Sequence, residues 1–237
     1  MTTEIDREAP RRIYAIGDIH GRLDLLQRAI VAIERDVAER GPAALTVTVG
    51  DYVDRGPASR GVLDCLIGNP FPTTLVALKG NHEDMFEKFL VYSAAGPHWA
   101  ANGGLETLRS YGVPVGDAGT MDFVRAREDL RAALPHEHRE FLRALKPSFS
   151  CGRYFFCHAG VRPGVPLERQ YEEDLLWIRE PFLMSQDDFG KIIVHGHTPV
   201  AEPEVRANRI GIDTGAYFSG RLTCVALGEG EPRFLDV

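Results

Sequence analysis

No apolar run in this 237-residue chain approaches the roughly 18 residues that a membrane-spanning helix needs. Cysteine is scarce. Cys65, Cys151, Cys157 and Cys224 are the whole set, and no two stand at the C-x-x-C spacing of a zinc or redox site. The first residues, Met-Thr-Thr-Glu-Ile-Asp-Arg-Glu, carry no apolar core and so no secretory signal, so the four thiols are expected to be reduced and mostly buried. The expected location is therefore cytoplasmic. Positive charge is in deficit: 27 Lys and Arg face 34 Asp and Glu, a net charge of −7. A nucleic-acid partner, which asks for clustered basic residues, is not expected. Nor is a membrane partner, because a basic amphipathic stretch is missing too. No internal repeat or low-complexity segment is visible.

What is present is ordinary globular material, 44% hydrophobic and 26% charged. The length suits one sizeable α/β domain. Residues 1–11 read as a flexible polar start, and 12–237 as the domain. Short β-branched or aromatic runs predict strands at Ile13–Ile16, Leu45–Val49, Thr74–Leu78, Tyr154–Cys157 and Ile192–Val194, with two more at Ile210–Ile212 and Leu222–Leu227. Leu23, Leu26, Ile30, Ile33 and Val37 recur at helical spacing, as do Phe86, Phe89 and Leu90, and Phe141, Leu142 and Leu145. Early strand–helix alternation followed by a strand-rich last third predicts an α/β layered fold with a mixed sheet. The stretch 93–149, with glycine turns at Asn102-Gly103-Gly104 and Val115-Gly116-Asp117, reads as a mostly helical cap inserted beside the site.

Five predicted strands end in a burst of polar residues. These are Gly17-Asp18-Ile19-His20-Gly21, Gly50-Asp51-Tyr52-Val53-Asp54-Arg55-Gly56, Lys79-Gly80-Asn81-His82-Glu83, His158-Ala159-Gly160 and His195-Gly196-His197-Thr198. Open α/β sheets bind ligands beyond the carboxyl ends of their strands, so five such ends on one edge would converge. Asp, His and Asn supply the oxygen and nitrogen donors that divalent Mn²⁺, Fe²⁺ or Zn²⁺ accept, and no cysteine joins them. Singly, each burst is explained by a turn or a hydrogen-bonded histidine. Together, in order, at successive strand ends, they point to one metal site.

These strings resemble the signature motifs of the phosphoprotein phosphatases, the serine/threonine branch of the calcineurin-like metallophosphoesterases. His158-Ala159-Gly160 and Gly196-His197-Thr198-Pro199 are similar to its bacterial and phage-type members. The resemblance covers residues 17 to about 220 and implies a central β-sandwich of mixed sheets flanked by α-helices. It implies two divalent metal ions, Mn²⁺ first with Fe²⁺ or Zn²⁺ as alternatives. One would be held by Asp18, His20 and Asp51, and the other by Asp51, Asn81, His158 and His197. A hydroxide bridging the metals would be the nucleophile, His82 the general acid and Asp54 its partner. Arg55 would grip phosphate, joined by Arg179 from Leu176-Trp177-Ile178-Arg179-Glu180, and Tyr217 would line the substrate site.

The motif departs from eukaryotic members in having His158-Ala159-Gly160 for their His-Gly-Gly. His195 has no place in it and reads as a packed residue. The implied reaction is hydrolysis of phosphate monoesters, with a phosphoprotein or phosphopeptide as substrate and no regulatory subunit evident. The alternative is a diadenosine tetraphosphatase or another small-molecule phosphoesterase. Such tetraphosphatases typically lack the Asp54 equivalent, and this chain keeps Asp54-Arg55. A metal-binding module without catalysis is disfavoured because no motif position is lost. Trp99-x-x-Asn102-Gly103-Gly104 reads either as a wall of the substrate site or as a helix start with a glycine turn.

Overall fold

Ile13 and Ala15 face one side of strand β1 (Arg12–Ile16), Tyr14 and Ile16 face the other, and all four are buried. A strand buried on both faces needs a layer on each side. On one side Ile13 and Ala15 join Leu45, Val47, Val225 and Leu227 against Phe149, Tyr154, Phe156 and Val194 of a second sheet. On the other, Tyr14 and Ile16 pack with helix side chains such as Leu26, Ile33, Val62 and Phe86.

The computed structural model describes residues 12–41, 44–116, 119–228 and 230–237. The expected flexible segment 1–11 and Asp117 of one glycine turn lie outside these. The first sheet contains β1, β2 (Ala44–Thr48), β3 (Thr74–Ala77), β9 (Cys224–Leu227) and β10 (Arg233–Phe234), in the order β10-β9-β1-β2-β3. The second contains β4 (Ser148–Cys151), β5 (Tyr154–Cys157), β6 (Ile192–His195), β7 (Glu204–Val205) and β8 (Arg209–Gly211), in the order β4-β5-β6-β8-β7. Both sheets are mixed. β1, β2 and β3 run parallel, as do β5, β6 and β8. This is the expected sandwich flanked by helices.

Helices α1 (Leu23–Arg40), α2 (Ser59–Ile67) and α3 (Asn81–Val91) follow the first three strands. The described residues of 93–144 are helical apart from stretches before and after α6. They comprise a short 3₁₀ turn, α4 (Gly96–Trp99), a π-type turn at Ala100–Gly104, α5 (Leu105–Ser110), α6 (Phe123–Ala133) and α7 (His136–Ala144). Helices α8 (Glu172–Trp177) and α9 (Glu180–Leu183) cover the outer face of the second sheet, where Leu175 and Phe182 meet Phe155 and Ile193. The short α10 (Ala216–Ser219) precedes β9.

Three strands were not expected. β4 opens at Ser148, inside the stretch read as cap, and β7 and β10 have two residues each, too short to carry a period. The buried stripe of α1 is also shifted, to Leu25, Leu26, Ala29, Ile33 and Asp36. Asp36 is acceptable there because the Tyr14 hydroxyl donates to it at 2.6 Å and Arg12, Arg40 and Arg233 pair with it.

Candidate metal centre

Parallel strands present their carboxyl ends together, and the polar bursts meet at that rim. Asp18 follows β1, Asp51 follows β2, Asn81 opens α3 after β3, His158 follows β5 and His197 follows β6. Asp51 is at the centre. Its Oδ1 lies 3.4 Å from His158 Nε2, and its Oδ2 lies 3.4 Å from His20 Nε2 and 3.8 Å from His82 Nε2. Asn81 Oδ1 lies 2.7 Å from His158 Nε2 and 2.9 Å from His197 Nδ1. The His197 amide donates to Asp18 Oδ2 at 3.1 Å. Two clusters whose donor atoms all fall within 4.8 Å of one another, His20/Asp51/His82 and Asp18/Asp51/His158, share only Asp51. All of these side chains are buried.

The backbone is bent to bring them in. Among the described residues, the non-glycine positions with positive φ are His20, Asp51, Asp54, Arg55, Asn69 and His197. All but Asn69 belong to the motifs, which is the clustering expected where strain serves a site. Two glycines let backbone press against the carboxylates. A Cβ on Gly196 would stand 2.0 Å from Asp18 Oδ1, and one on Gly80 would stand 2.1 Å from Asp51 Oδ1. The first two motif loops are joined directly, since the amides of Ile19 and His20 both donate to Asp51 O, at 3.0 and 2.8 Å.

The donor set fits divalent cations on grounds of hydrogen-bond chemistry. His158 Nδ1 faces Val49 O at 2.9 Å, and His20 Nδ1 faces Val53 O at 2.9 Å. A carbonyl only accepts, so each Nδ1 carries the proton and each Nε2 offers a lone pair. Burial pushes the pKa of His20 down to about 3, that of His197 down to about 2, and that of His158 below its ordinary value, which keeps all three rings neutral. The short approach of His158 Nε2 to Asn81 Oδ1 then brings two acceptors together. Asp18 Oδ1 and His197 Nε2 are buried with no hydrogen-bond partner. Burial, then the charges of Asp213 and Asp51, raise the Asp18 pKa well above the usual carboxylate range. Asp51 is held low: burial would raise it, but the positive charge of His158, His82 and His20 in their protonated forms outweighs that. Crowded acceptors and carboxylates without enough donors are what bound cations relieve.

Beside this ring lies a second set. His82 Nδ1 is 2.7 Å from Asp54 Oδ2. The carboxylate accepts only, so Nδ1 carries the proton and Nε2 faces Asp51. Burial lowers the His82 pKa, but the Asp51 charge and the Asp54 hydrogen bond more than compensate, and the net shift is upward. Arg55 places NH1 3.1 Å from His20 Nε2 and its guanidinium 4.9 Å from the Tyr217 ring centre. Tyr217 therefore borders the site, with the exposed Phe218 against it. Arg179 is exposed, its guanidinium has no hydrogen-bond or ion-pair partner among the described residues, and its charge is felt at His197. His195 belongs to neither cluster and is buried against the Phe182 ring at 5.0 Å.

Sequence reasoning leaves Glu83 and Asp213 unassigned and Trp99 between two readings. Glu83 accepts four backbone N–H groups, from Asp51 (2.8 Å), Tyr52 (2.8 Å), Val53 (3.2 Å) and Gly80 (2.9 Å). It thereby ties the second motif loop to the third. Burial and the Asp51 charge raise its pKa to about 8, and the four donors act against that. The signal was available, since a Glu three residues past a helix N-cap is half of a capping box. Asp213 follows β8 as the other acids follow their strands. It is buried beside Asp18 and has its pKa raised to about 6, by burial first. Trp99 is buried, neither a wall nor merely a helix start. It stacks on Phe86 and Phe89 and donates to Asp54.

The calcineurin-like phosphoesterase family model matches residues 11–222 of this chain. Among curated relatives, a bis(5'-nucleosyl)-tetraphosphatase PrpE of Anoxybacillus flavithermus is 27% identical, over 91% of this chain and 90% of its own. Serine/threonine-protein phosphatase 2 of Escherichia coli is 29% identical, over 90% of this chain and 91% of its own. Among solved structures, a cold-active protein tyrosine phosphatase superposes with a TM-score of 0.58 at 16% identity, over 94% of this chain and 78% of that one. That last likeness concerns the fold.

Proposed function

The chain belongs to the calcineurin-like phosphoesterase family, and on that premise we propose that this hydrolase removes phosphate from phosphoserine and phosphothreonine in proteins. The observation that carries this reading is the Asp54–His82 pair, 2.7 Å apart and buried at the rim of the metal cluster. A serine alkoxide is a poor leaving group and must be protonated as it departs. General-acid help of that kind contributes about 10²–10⁴-fold.

Asp18, His20 and Asp51 are assigned to one divalent cation, and Asp51, Asn81, His158 and His197 to the other, with Mn²⁺ expected first. Cations so held would supply Lewis acidity toward phosphate and an activated water. Arg55 and Arg179 bind the non-bridging phosphate oxygens with paired N–H donors, which fix the ester in line for displacement. His82 Nε2 gives its proton to the leaving oxygen. Asp54 keeps the ring oriented throughout. Asn81 and the histidines would hold cations without adding negative charge, which would leave the site receptive to a phosphate dianion despite an acidic chain.

A second reading, hydrolysis of a dinucleoside tetraphosphate, is supported by the tetraphosphatase names among the relatives. Tyr217 and Phe218 beside Arg55 offer an aromatic surface on which a nucleobase could stack. Steady-state kinetics on Mn²⁺-loaded enzyme separate the two. A higher kcat/KM for a phosphoserine peptide than for diadenosine tetraphosphate is expected, and the reverse order would transfer the assignment to nucleotides.

A further inference from the structure

Asp54 is surrounded. Its Oδ2 accepts from His82 Nδ1 at 2.7 Å and from Trp99 Nε1 at 2.8 Å, and its Oδ1 accepts from the Thr107 hydroxyl at 2.6 Å. Its amide faces Ser59 Oγ at 3.0 Å and Thr107 Oγ1 at 2.9 Å. The two hydroxyls are 3.0 Å apart. A hydroxyl has one proton, and the Thr107 proton goes to the carboxylate, which leaves Ser59 to donate to Thr107. Asp54, Trp99, Thr107 and Ser59 are all buried.

The loop that carries Asp54 is braced from outside. Asp54 and Arg55 have φ of 71° and 66°, in the left-handed region that side chains seldom adopt. The Arg55 amide donates to Gly103 O at 3.1 Å, and a Cβ on Gly103 would stand 2.7 Å from that amide nitrogen. Trp99 in turn is pinned by Phe86 and Phe89, with ring centres 5.4 and 4.8 Å away, and by the bare backbone of Gly104. Apart from His82 and Ser59, these contacts come from the 96–107 segment or the aromatic stack beneath it.

We propose that residues 96–107 form a clamp that orients the Asp54–His82 pair for leaving-group protonation, with Trp99 and Thr107 as its positioning residues. The proposal rests on the phosphomonoesterase reading above. Neither side chain touches the reacting atoms. Trp99 and Thr107 fix the two oxygens of Asp54, so the carboxylate cannot rotate, and His82 Nε2 keeps one direction relative to Asp51. The stretch read from sequence as a cap beside the site is, on this account, part of the acid machinery.

The test compares W99F, T107V, T107S and H82A, all loaded with Mn²⁺, on a phosphoserine peptide and on p-nitrophenyl phosphate. An alkyl ester needs the acid, and a nitrophenolate scarcely does. W99F keeps the ring stack and removes the N–H; T107V keeps the shape and removes the hydroxyl. Each is expected to lose about 10–100-fold on the peptide and about threefold or less on the aryl ester, in the same direction as H82A. T107S, which keeps the hydroxyl, should restore the wild-type ratio. Equal losses on both esters would show a merely structural role and overturn the clamp, as would no loss on either. Equal losses in H82A itself would remove the acid assignment and the clamp's part in it.

An independent readout is the ¹H–¹⁵N signal of the His82 Nδ1 proton, assigned by its absence in H82A. It should move in W99F and T107V and stay in place in T107S; an unmoved signal in both of the first two sinks the clamp. A wild-type protein inert on both esters would sink the proposed function, and this signal would still decide whether Trp99 and Thr107 set the ring's hydrogen bond.

Discussion

The candidate metal ring and the proposed acid corner lie against each other yet are assembled by different means. Asp18, Asp51, Asn81, His158 and His197 each follow a strand end, so the two sheets themselves set their spacing. Asp54 and Arg55 sit in a left-handed loop with no strand beneath it, held by Trp99, Gly103 and Thr107 from a helical segment later in the chain. A site built on sheet ends inherits the rigidity of the core. One built on a loop must import it. Glu83 belongs to both, since its carboxylate gathers the amides of Asp51 to Val53 and of Gly80.

This contrast can be broken at graded cost. The largest effect is expected from Asp51→Asn, at the one residue the two donor clusters share. The variant should lose most of its metal from both positions and most of its turnover, as read by elemental analysis beside a phosphatase assay. Full occupancy in an intact fold would mean that the ring does not depend on its centre. Glu83→Gln should come next. An amide can accept at only one of its two atoms, so buried N–H donors would face an NH₂ group, at roughly 1–3 kcal/mol for each one left unsatisfied. Denaturant unfolding of the metal-free protein should show that loss, together with weaker metal binding and a poorer alkyl-to-aryl ratio. Damage confined to one of the two would show that Glu83 does not join them.

The smallest effect is expected outside both regions, at Asp36. Burial would raise its pKa, but the Tyr14 hydrogen bond and the Arg233 and Arg12 charges bring it below the ordinary carboxylate value. A depressed folded-state pKa stabilises fully above the unfolded value of about 3.9 and loses that contribution as pH falls through the folded one. Thermal melts of the wild type should therefore drop below about pH 4, and Asp36→Asn should melt lower at pH 7 with a flatter acid limb. Metal content and esterase ratio should stay at wild-type values, which marks Asp36 as a control for the other two.

Much of the ring was legible in the sequence. The strands that carry it are short β-branched runs closed by glycine and a polar burst, and the ligand types sit in those bursts. Asp213 was missed although Ile210–Ile212 was read as a strand, because a lone acid before Thr-Gly resembles a turn until Asp18 is beside it. β7 and β10 were missed because two residues carry no period. In α1 the helical spacing was right and the face was displaced. Asp36 is buried by Tyr14 and Arg233, the latter 197 residues away, and no local pattern announces such a partner.

The order of the motifs, the chemistry of their donors and the α/β layering with a mixed sheet were decided by the sequence, because each is written in a few adjacent residues or in a local period. Which side chains hold Asp54 was decided by the tertiary structure. The partners of Asp54 stand 45 and 53 positions further along the chain, and only the packing of Trp99 against Phe86 and Phe89 brings them to its carboxylate. A hydrogen bond is specific in space and silent in sequence when that many residues separate donor from acceptor.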